Sequence, residues 1–372
     1  MRTVPATRWK TGYEMGVRVM VMAGGTGGHV FPALAVAEEL RARNMEVFWL
    51  GNPDGFEARV VPEHGFSMER VSIHGLRGNG ILRWLAAPFR LSIALFQVMI
   101  ILLRKRPRIA LGMGGFVSGP GGLMAKVMGI PLVIHEQNAV PGMTNRWLAR
   151  WASRVAEAFP GSFDASLRAS LTGNPVRPEI AGLEAPAVRM SGRSGPVHLL
   201  VLGGSQGARA LNETLPAALA LLQPEIRPST QHQSGRDKVD TTVSAYRKAG
   251  VKAEVMPFIK DMAAAYAWAD LVVCRAGALT IAEIAAAGVA SILIPYPYAV
   301  DDHQTKNAGY LVDAGAALLL PESEMSAQNL ARLLEPLAGS REKTLEMAVA
   351  ARSLALPEAT LKVADLCEEV AQ

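Results

Sequence analysis

With 372 residues, the chain has room for two domains, each long enough to bury a core of its own. Hydrophobic residues make up 50% and charged residues only 19%, a Gly-rich, aromatic-poor profile that excludes a disordered or fibrous protein and indicates a globular α/β one. Only two cysteines occur, Cys274 and Cys367, far apart and each inside an apolar pattern, which excludes a disulfide framework and implies a reducing compartment. The formal net charge of +5 conceals an asymmetry: no Asp or Glu lies between Glu69 and Glu136, a window that holds nine cations, among them Arg83, Arg90, Arg104, Lys105 and Arg106. A basic surface without opposing carboxylates selects an anionic partner such as phospholipid headgroups, a pyrophosphate or nucleic acid, the alternative being a solvated face.

Taken in chain order, residues 1–16 lack the continuous apolar run of a secretory signal and are expected to be a disordered extension, with Met15 an alternative start. Residues 17–22 form a short apolar run that ends in Gly24-Gly25-Thr26-Gly27-Gly28-His29 and leads into the apolar stretch 33–40, which predicts strand, glycine-rich turn and helix. Residues 81–103 are the most apolar segment, and their 23 residues compare with the roughly 20 that a membrane span needs. Arg83, Arg90 and Gln97 interrupt the run. A span is therefore excluded, leaving an amphipathic helix at an interface, with Trp84 and Phe89 at its lipid-side end, or a helix buried in the core.

Two further strand-to-loop units follow, at 109–111 with the loop 112–122 and at 132–134 with His135-Glu136-Gln137-Asn138. Residues 181–196, rich in Ala, Gly, Pro and Ser, suit an interdomain linker. The opening pattern then returns as an apolar run at 197–202, the turn Gly203-Gly204-Ser205-Gln206-Gly207 and a helix from Ala210. Residues 271–274 precede Arg275-Ala276-Gly277 and a helix over 279–287, and 290–294 reads as another strand. This alternation predicts two Rossmann-like lobes, each a doubly wound parallel sheet, at 17–180 and 197–340. Ligands sit beyond the carboxyl ends of such strands, so these loops are expected to face one cleft.

Both turns place paired glycines before a helix N-terminus, which suits an anion held by backbone N–H groups; tight strand-to-helix packing is the alternative use. Neither turn carries the Lys-Ser or Lys-Thr of a P-loop or the third glycine of a dinucleotide fingerprint, so ATPase and dehydrogenase readings lose ground. Glu283, in the first turns of its helix, could accept both hydroxyls of a ribose diol or compensate the helix dipole. His29 suits a general base, or a structural histidine on a backbone carbonyl. No Asp-x-Asp triplet and no zinc spacing occurs, so no cofactor is expected and a metal-free mechanism is favoured.

The ordered series Gly24 to His29, Met113 to Gly122, His135 to Asn138, Thr172 to Arg177, Gly203 to Arg209 and Cys274 to Thr280 closely resembles the MurG family of bacterial transferases that add N-acetylglucosamine to lipid I, and it spans nearly the whole chain. The resemblance implies a GT-B fold whose second lobe holds UDP-N-acetylglucosamine and whose first takes the acceptor, with 341–372 crossing back to the first lobe. It implies donor contacts from Ser205 to phosphate, Ile259 beside uracil, Glu283 to ribose within the run Ala278, Leu279, Thr280, Ile281 and Ala282, and Gln304 to the sugar. Arg177, Asn138 and Thr26, Gly27 and Gly28 complete the set. His303 stands where many members carry a second glutamine, and Ala276 where many carry serine. Around the acceptor's pyrophosphate the implied residues are Gly25, Gly28, Gly114, Gly115, Phe116 and Ser118. The implied chemistry is an inverting displacement with His29 as candidate base, at an anionic membrane surface met by Arg83, Trp84, Phe89, Arg90, Arg104, Lys105 and Arg106. That places the protein peripherally on the cytoplasmic face of the inner membrane, with no nucleic-acid partner. The rival readings are a UDP-N-acetylglucosamine 2-epimerase on the same fold and a non-enzymatic membrane-associated sugar-nucleotide sensor.

Overall fold

A computed structural model describes residues 16–73, 81–204 and 207–371. The expected extension at 1–16 falls, but for Gly16, outside the described residues, as does Ser205. The first lobe runs β1 (Arg18–Met22), α1 (Gly27–Ala42), β2 (Glu46–Gly51), α2 (Phe56–Glu63), β3 (Ser67–Arg70), α3 (Ile81–Lys105), β4 (Ile109–Gly112), α4 (Ser118–Val127), β5 (Leu132–Glu136), α5 (Met143–Leu148), β6 (Arg154–Glu157) and β7 (Ser170–Leu171). After α6 (Pro178–Ala181) and α7 (Pro186–Arg189), the second lobe runs β8 (His198–Leu202), α8 (Arg209–Leu221), β9 (Ser229–Gln233), α9 (Val239–Ala249), β10 (Glu254–Met256), α10 (Met262–Trp268), β11 (Leu271–Cys274), α11 (Ala278–Ala287), β12 (Ala290–Leu293), α12 (His303–Val312), β13 (Ala317–Leu319), α13 (Ala327–Ala338), α14 (Arg341–Ser353) and α15 (Ala359–Ala371).

The central strands read as unbroken apolar runs because both faces of each sheet are covered by helices. Every strand pair is parallel. The strand orders are β3-β2-β1-β4-β5-β6-β7 and β10-β9-β8-β11-β12-β13, so the order reverses between β1 and β4 in one sheet and between β8 and β11 in the other. A crevice opens at such a switch point, beyond the strand carboxyl ends. The loops there are the two glycine turns and their neighbours, 112–117 and 275–277.

The stretch expected as a bare linker carries α7 and lies just beyond α6, each helix opened by a proline in its first turn. The return to the first lobe falls later than residue 341. α14 packs on α11, β12 and α7 in the second lobe. Only α15 reaches back, burying Val363, Ala364, Leu366 and Cys367 with α1 and β1.

α3 is apolar on both sides. Ala94, Val98, Ile101 and Leu102 join the core under β1, β2 and β4, while Phe89, Ile93, Phe96, Ile100 and Leu103, spaced three and four apart, are all 40% or more exposed. The exposed stripe extends from Phe89 to Leu103 rather than marking the Trp84–Phe89 end alone; the side chains of Arg83 and Trp84 lie outside the described residues. No helix among the described residues is long and apolar enough to cross a membrane. The acid-free window also closes in space, because Glu69 pairs with Arg104 and, at 3.0 Å, with Lys105. Arg90 is exposed on α3, and Arg106 follows it exposed in the left-handed region, φ 50°.

Candidate functional site

On the first lobe, β1 delivers Gly24 and Gly25, and β4 delivers Gly114 and Gly115, so that the two loops press together. Gly24 N–H donates to Gly114 O at 3.3 Å. A Cβ on Gly115, whose φ is +88°, would stand 2.5 Å from the Gly24 carbonyl oxygen, and one on Gly114 would stand 2.6 Å from His29 Nδ1. Glycine is obligatory at both places, first for close approach and then for backbone conformation. His29, in the first turn of α1, is thereby seated against Gly114, with its Nδ1 2.9 Å from Gln137 Oε1. Thr26 precedes α1 without making a side-chain cap, and Thr26 and Gly28 are exposed beside Gly27 at that helix start.

Several residues expected at an acceptor site are already engaged by the protein. Gly25 N–H donates to Glu57 Oε2 at 3.0 Å, and the other oxygen of this buried carboxylate accepts from Asn52 N–H at 2.9 Å. Ser118 is fully buried, and its hydroxyl is shared between the carbonyls of Met22 and Gly114 at 3.1 and 2.9 Å. It braces the loop and does not face the cleft. Phe116 is 57% exposed at the loop tip.

On the second lobe, Gly204 has φ +77° with nothing within 4 Å of where a Cβ would be, whereas a Cβ on Gly203 would stand 2.8 Å from Ala208 N and one on Gly207 would run into Ser234 O. Lys238 brings a cation to this turn, its Nζ donating to Gly207 O at 3.1 Å, a residue the sequence reading passed over. Ile259 is buried in the loop after β10. α11 begins after Gly277 with no side-chain cap, leaving the N-terminal amides around Ala278, Leu279 and Thr280 as an anion-favouring end. Ile281 is wholly buried in the core and gives its N–H to Gly277 O, so it supports the segment without facing a ligand, while Ala282 is half-buried. Gln304, next to His303 at the start of α12, accepts Tyr296 N–H on its Oε1 at 2.8 Å, which turns its amide NH2 outward as a donor.

Arg177 and Glu283, each expected to meet the donor, meet each other: Arg177 Nη2 donates to Glu283 Oε1 at 2.7 Å, and Tyr266 OH to Oε2 at 3.2 Å. Burial pushes the Glu283 carboxyl above its ordinary pKa, opposed by the Arg177 charge; burial and Glu283 push the Tyr266 hydroxyl well up. Arg177 Nε is buried with no hydrogen-bond partner among the described residues. Asn138 ties the lobes together, its Oδ1 accepting from Asn307 Nδ2 at 3.3 Å while Asn307 Oδ1 takes Ala139 N–H at 2.8 Å. Asn307 and Tyr266 carried no sequence signal, because their partners lie far away in the chain.

Models of the glycosyltransferase family 28 N-terminal and C-terminal domains match residues 19–157 and 198–369. The chain is 57% identical over 357 residues to the UDP-N-acetylglucosamine–N-acetylmuramyl-(pentapeptide) pyrophosphoryl-undecaprenol N-acetylglucosamine transferase of Nitrosococcus oceani, covering 96% of this chain and 99% of that one. The crystal structure of Acinetobacter baumannii MurG superposes with a TM-score of 0.84 at 44% identity, covering 95% of this chain and 99% of that one. A UDP-GlcNAc 2-epimerase from Neisseria meningitidis, at 11% identity and a TM-score of 0.66 over 95% of this chain and all of that one, shares the fold alone.

Proposed function

The chain belongs to glycosyltransferase family 28 and within it to the MurG family, and from that premise we propose that it transfers N-acetylglucosamine from UDP-N-acetylglucosamine to the C4 hydroxyl of the muramyl sugar of lipid I, with inversion, giving lipid II for peptidoglycan synthesis. The observation that carries the reading is the placement of both glycine turns at the sheets' switch points, together with the contact of Arg177 with Glu283. In this reading the lobe of residues 17–180 takes the acceptor and that of 197–340 the donor.

The ribose diol takes the Glu283 carboxylate, and Arg177 turns its orphaned Nε and freed Nη2 to the diphosphate. As the acceptor oxygen bonds to the anomeric carbon and the bond to UDP breaks, charge grows on the departing diphosphate. The Gly204 N–H, the Ser205 hydroxyl, Arg177 and the α11 N-terminus stabilise it. His29 takes the hydroxyl proton. Gln304, with its oxygen spent on Tyr296, donates to the sugar.

The exposed stripe of α3 supports docking at the cytoplasmic face of the inner membrane, with Arg90 and the neighbouring basic residues meeting anionic headgroups. The glutamate-paired Arg104 and Lys105 contribute less. Arg90→Glu is expected to weaken binding to anionic vesicles and flatten its salt dependence; unchanged partitioning would remove the membrane role.

Incubating the protein with UDP-N-acetylglucosamine, with and without a lipid I analogue, and resolving the products tests the reaction. Transfer to the analogue is expected. Conversion of the donor without acceptor would mean epimerisation, and binding without turnover a sensor. An epimerase needs a free carboxylate for proton transfer, and the buried first-lobe carboxylates Glu57 and Glu136 are both occupied by N–H groups.

A further inference from the structure

We propose that Gln137 and His135 are positioning residues that hold His29 in the tautomer with its proton on Nδ1 and its lone pair on Nε2, the form able to accept a hydroxyl proton. The inference rests on the reading of His29 as the base and deepens it. Its geometry begins at a backbone carbonyl. Gly173 O lies 2.9 Å from His135 Nε2; a carbonyl only accepts, so that nitrogen carries a hydrogen. His135 is fully buried, and burial lowers its pKa to about 4, so near neutral pH it holds one ring proton, the one given to Gly173.

The other ring nitrogen of His135 is therefore a bare lone pair, and the Gln137 group 3.1 Å from it must be the amide NH2. That NH2 also reaches His135 O at 3.4 Å, so both its hydrogens are directed at His135. What remains of the Gln137 amide is its oxygen, 2.9 Å from His29 Nδ1. An amide oxygen only accepts, so His29 Nδ1 donates and Nε2 is left as the basic atom.

The arrangement is rigid. Gln137 is 1% exposed and His135 wholly buried, so neither can turn its polar end to water, and the imidazole of His29 lies against Gly114, where a Cβ would stand 2.6 Å from Nδ1. The anchor, Gly173, is itself pinned: a Cβ there would stand 2.6 Å from Leu356 Cβ, on the segment leading into α15. Because the group facing Nδ1 is a neutral amide rather than a carboxylate, it selects a tautomer without adding a charge to stabilise the imidazolium.

The test is nitrogen NMR on the full chain labelled with 15N-histidine, alongside steady-state kinetics. In the wild type, His29 is expected to show a protonated Nδ1 and an unprotonated Nε2; the reverse would overturn the proposal without any variant. Gln137→Leu is expected to mix the tautomers and lower kcat about 10- to 100-fold, the range typical of partners that orient a functional imidazole, with KM for UDP-N-acetylglucosamine unchanged. Gln137→Glu is expected to recover most of kcat, its carboxylate accepting from His29 Nδ1 while His135 takes a second proton, visible in its own nitrogen shifts. An unchanged His29 tautomer in Gln137→Leu sinks the relay. A changed tautomer with wild-type turnover instead sinks the reading of His29 as base and leaves the relay standing.

Discussion

The two strand–glycine–helix turns share a pattern and differ in what occupies them. In the first, Glu57 accepts the Gly25 N–H, Gly115 is packed onto Gly24, and Gly114 supports His29. In the second, Gly204 faces open space in the left-handed region, with Lys238 nearby. Each turn nonetheless has one glycine in open space, Gly25 and Gly204, and others that are tightly packed, Gly115 against Gly24 O and Gly207 against Ser234 O. What separates them is a single carboxylate, carried on α2, that reaches into the first turn.

That contrast can be broken at several points. The largest effect is expected for His29→Ala, which should lower kcat by about 10²–10⁴-fold with donor affinity measured by calorimetry unchanged; near-native turnover would empty the first turn of its catalytic meaning. Gly115→Ala comes next. Its Cβ would meet backbone that cannot retreat, so a loss of about 3 kcal/mol in urea unfolding is expected, with turnover falling alongside.

Acid should weaken both lobes through one buried histidine each, His135 and His232, both lowered by burial to about 4. The unfolded chain binds protons at these sites below its pKa of about 6.5 while the folded one does not, so the stability present above 6.5 is lost as pH falls toward 4, on the order of 3 kcal/mol for each. Unfolding at pH 7 and pH 5 measures it, and His232→Asn should remove about half of the slope. Glu57→Gln should cost about 1–2 kcal/mol, because one of two part-buried backbone N–H groups then faces an NH2, with acceptor KM raised and donor KM unmoved. Gly204→Ala is expected to cost no more, about 1–2 kcal/mol for its positive φ, and to act on donor KM instead. A raised acceptor KM there would reverse the assignment of the two turns.

The alternation of apolar runs with glycine turns made β1–α1, β8–α8 and β11–α11 legible, because each depends on neighbours within a few residues. The same local cues singled out His29 and Glu283 at strand ends expected to face a cleft, whereas Arg177 came from the family resemblance alone. Neither could say that Arg177 would lie on Glu283, 106 residues away, or that Glu57 would close the Gly25 amide from 32 residues away. Ser118 and Ile281 carried the right motif positions and proved to face inward, since which side of a helix start meets the cleft depends on what packs over it. Gln137 was visible within His135 to Asn138, but its role needs His29, 108 residues upstream.

By itself, then, the sequence determined two parallel-sheet lobes, the position of their ligand loops and membership of the MurG family, because periodicity, turn chemistry and ordered motifs are all local. Only the tertiary structure decided which carboxylates are spent on which N–H groups and which nitrogen of His29 meets Gln137. Those properties belong to hydrogen bonds between segments that meet only when each sheet has closed around its switch point.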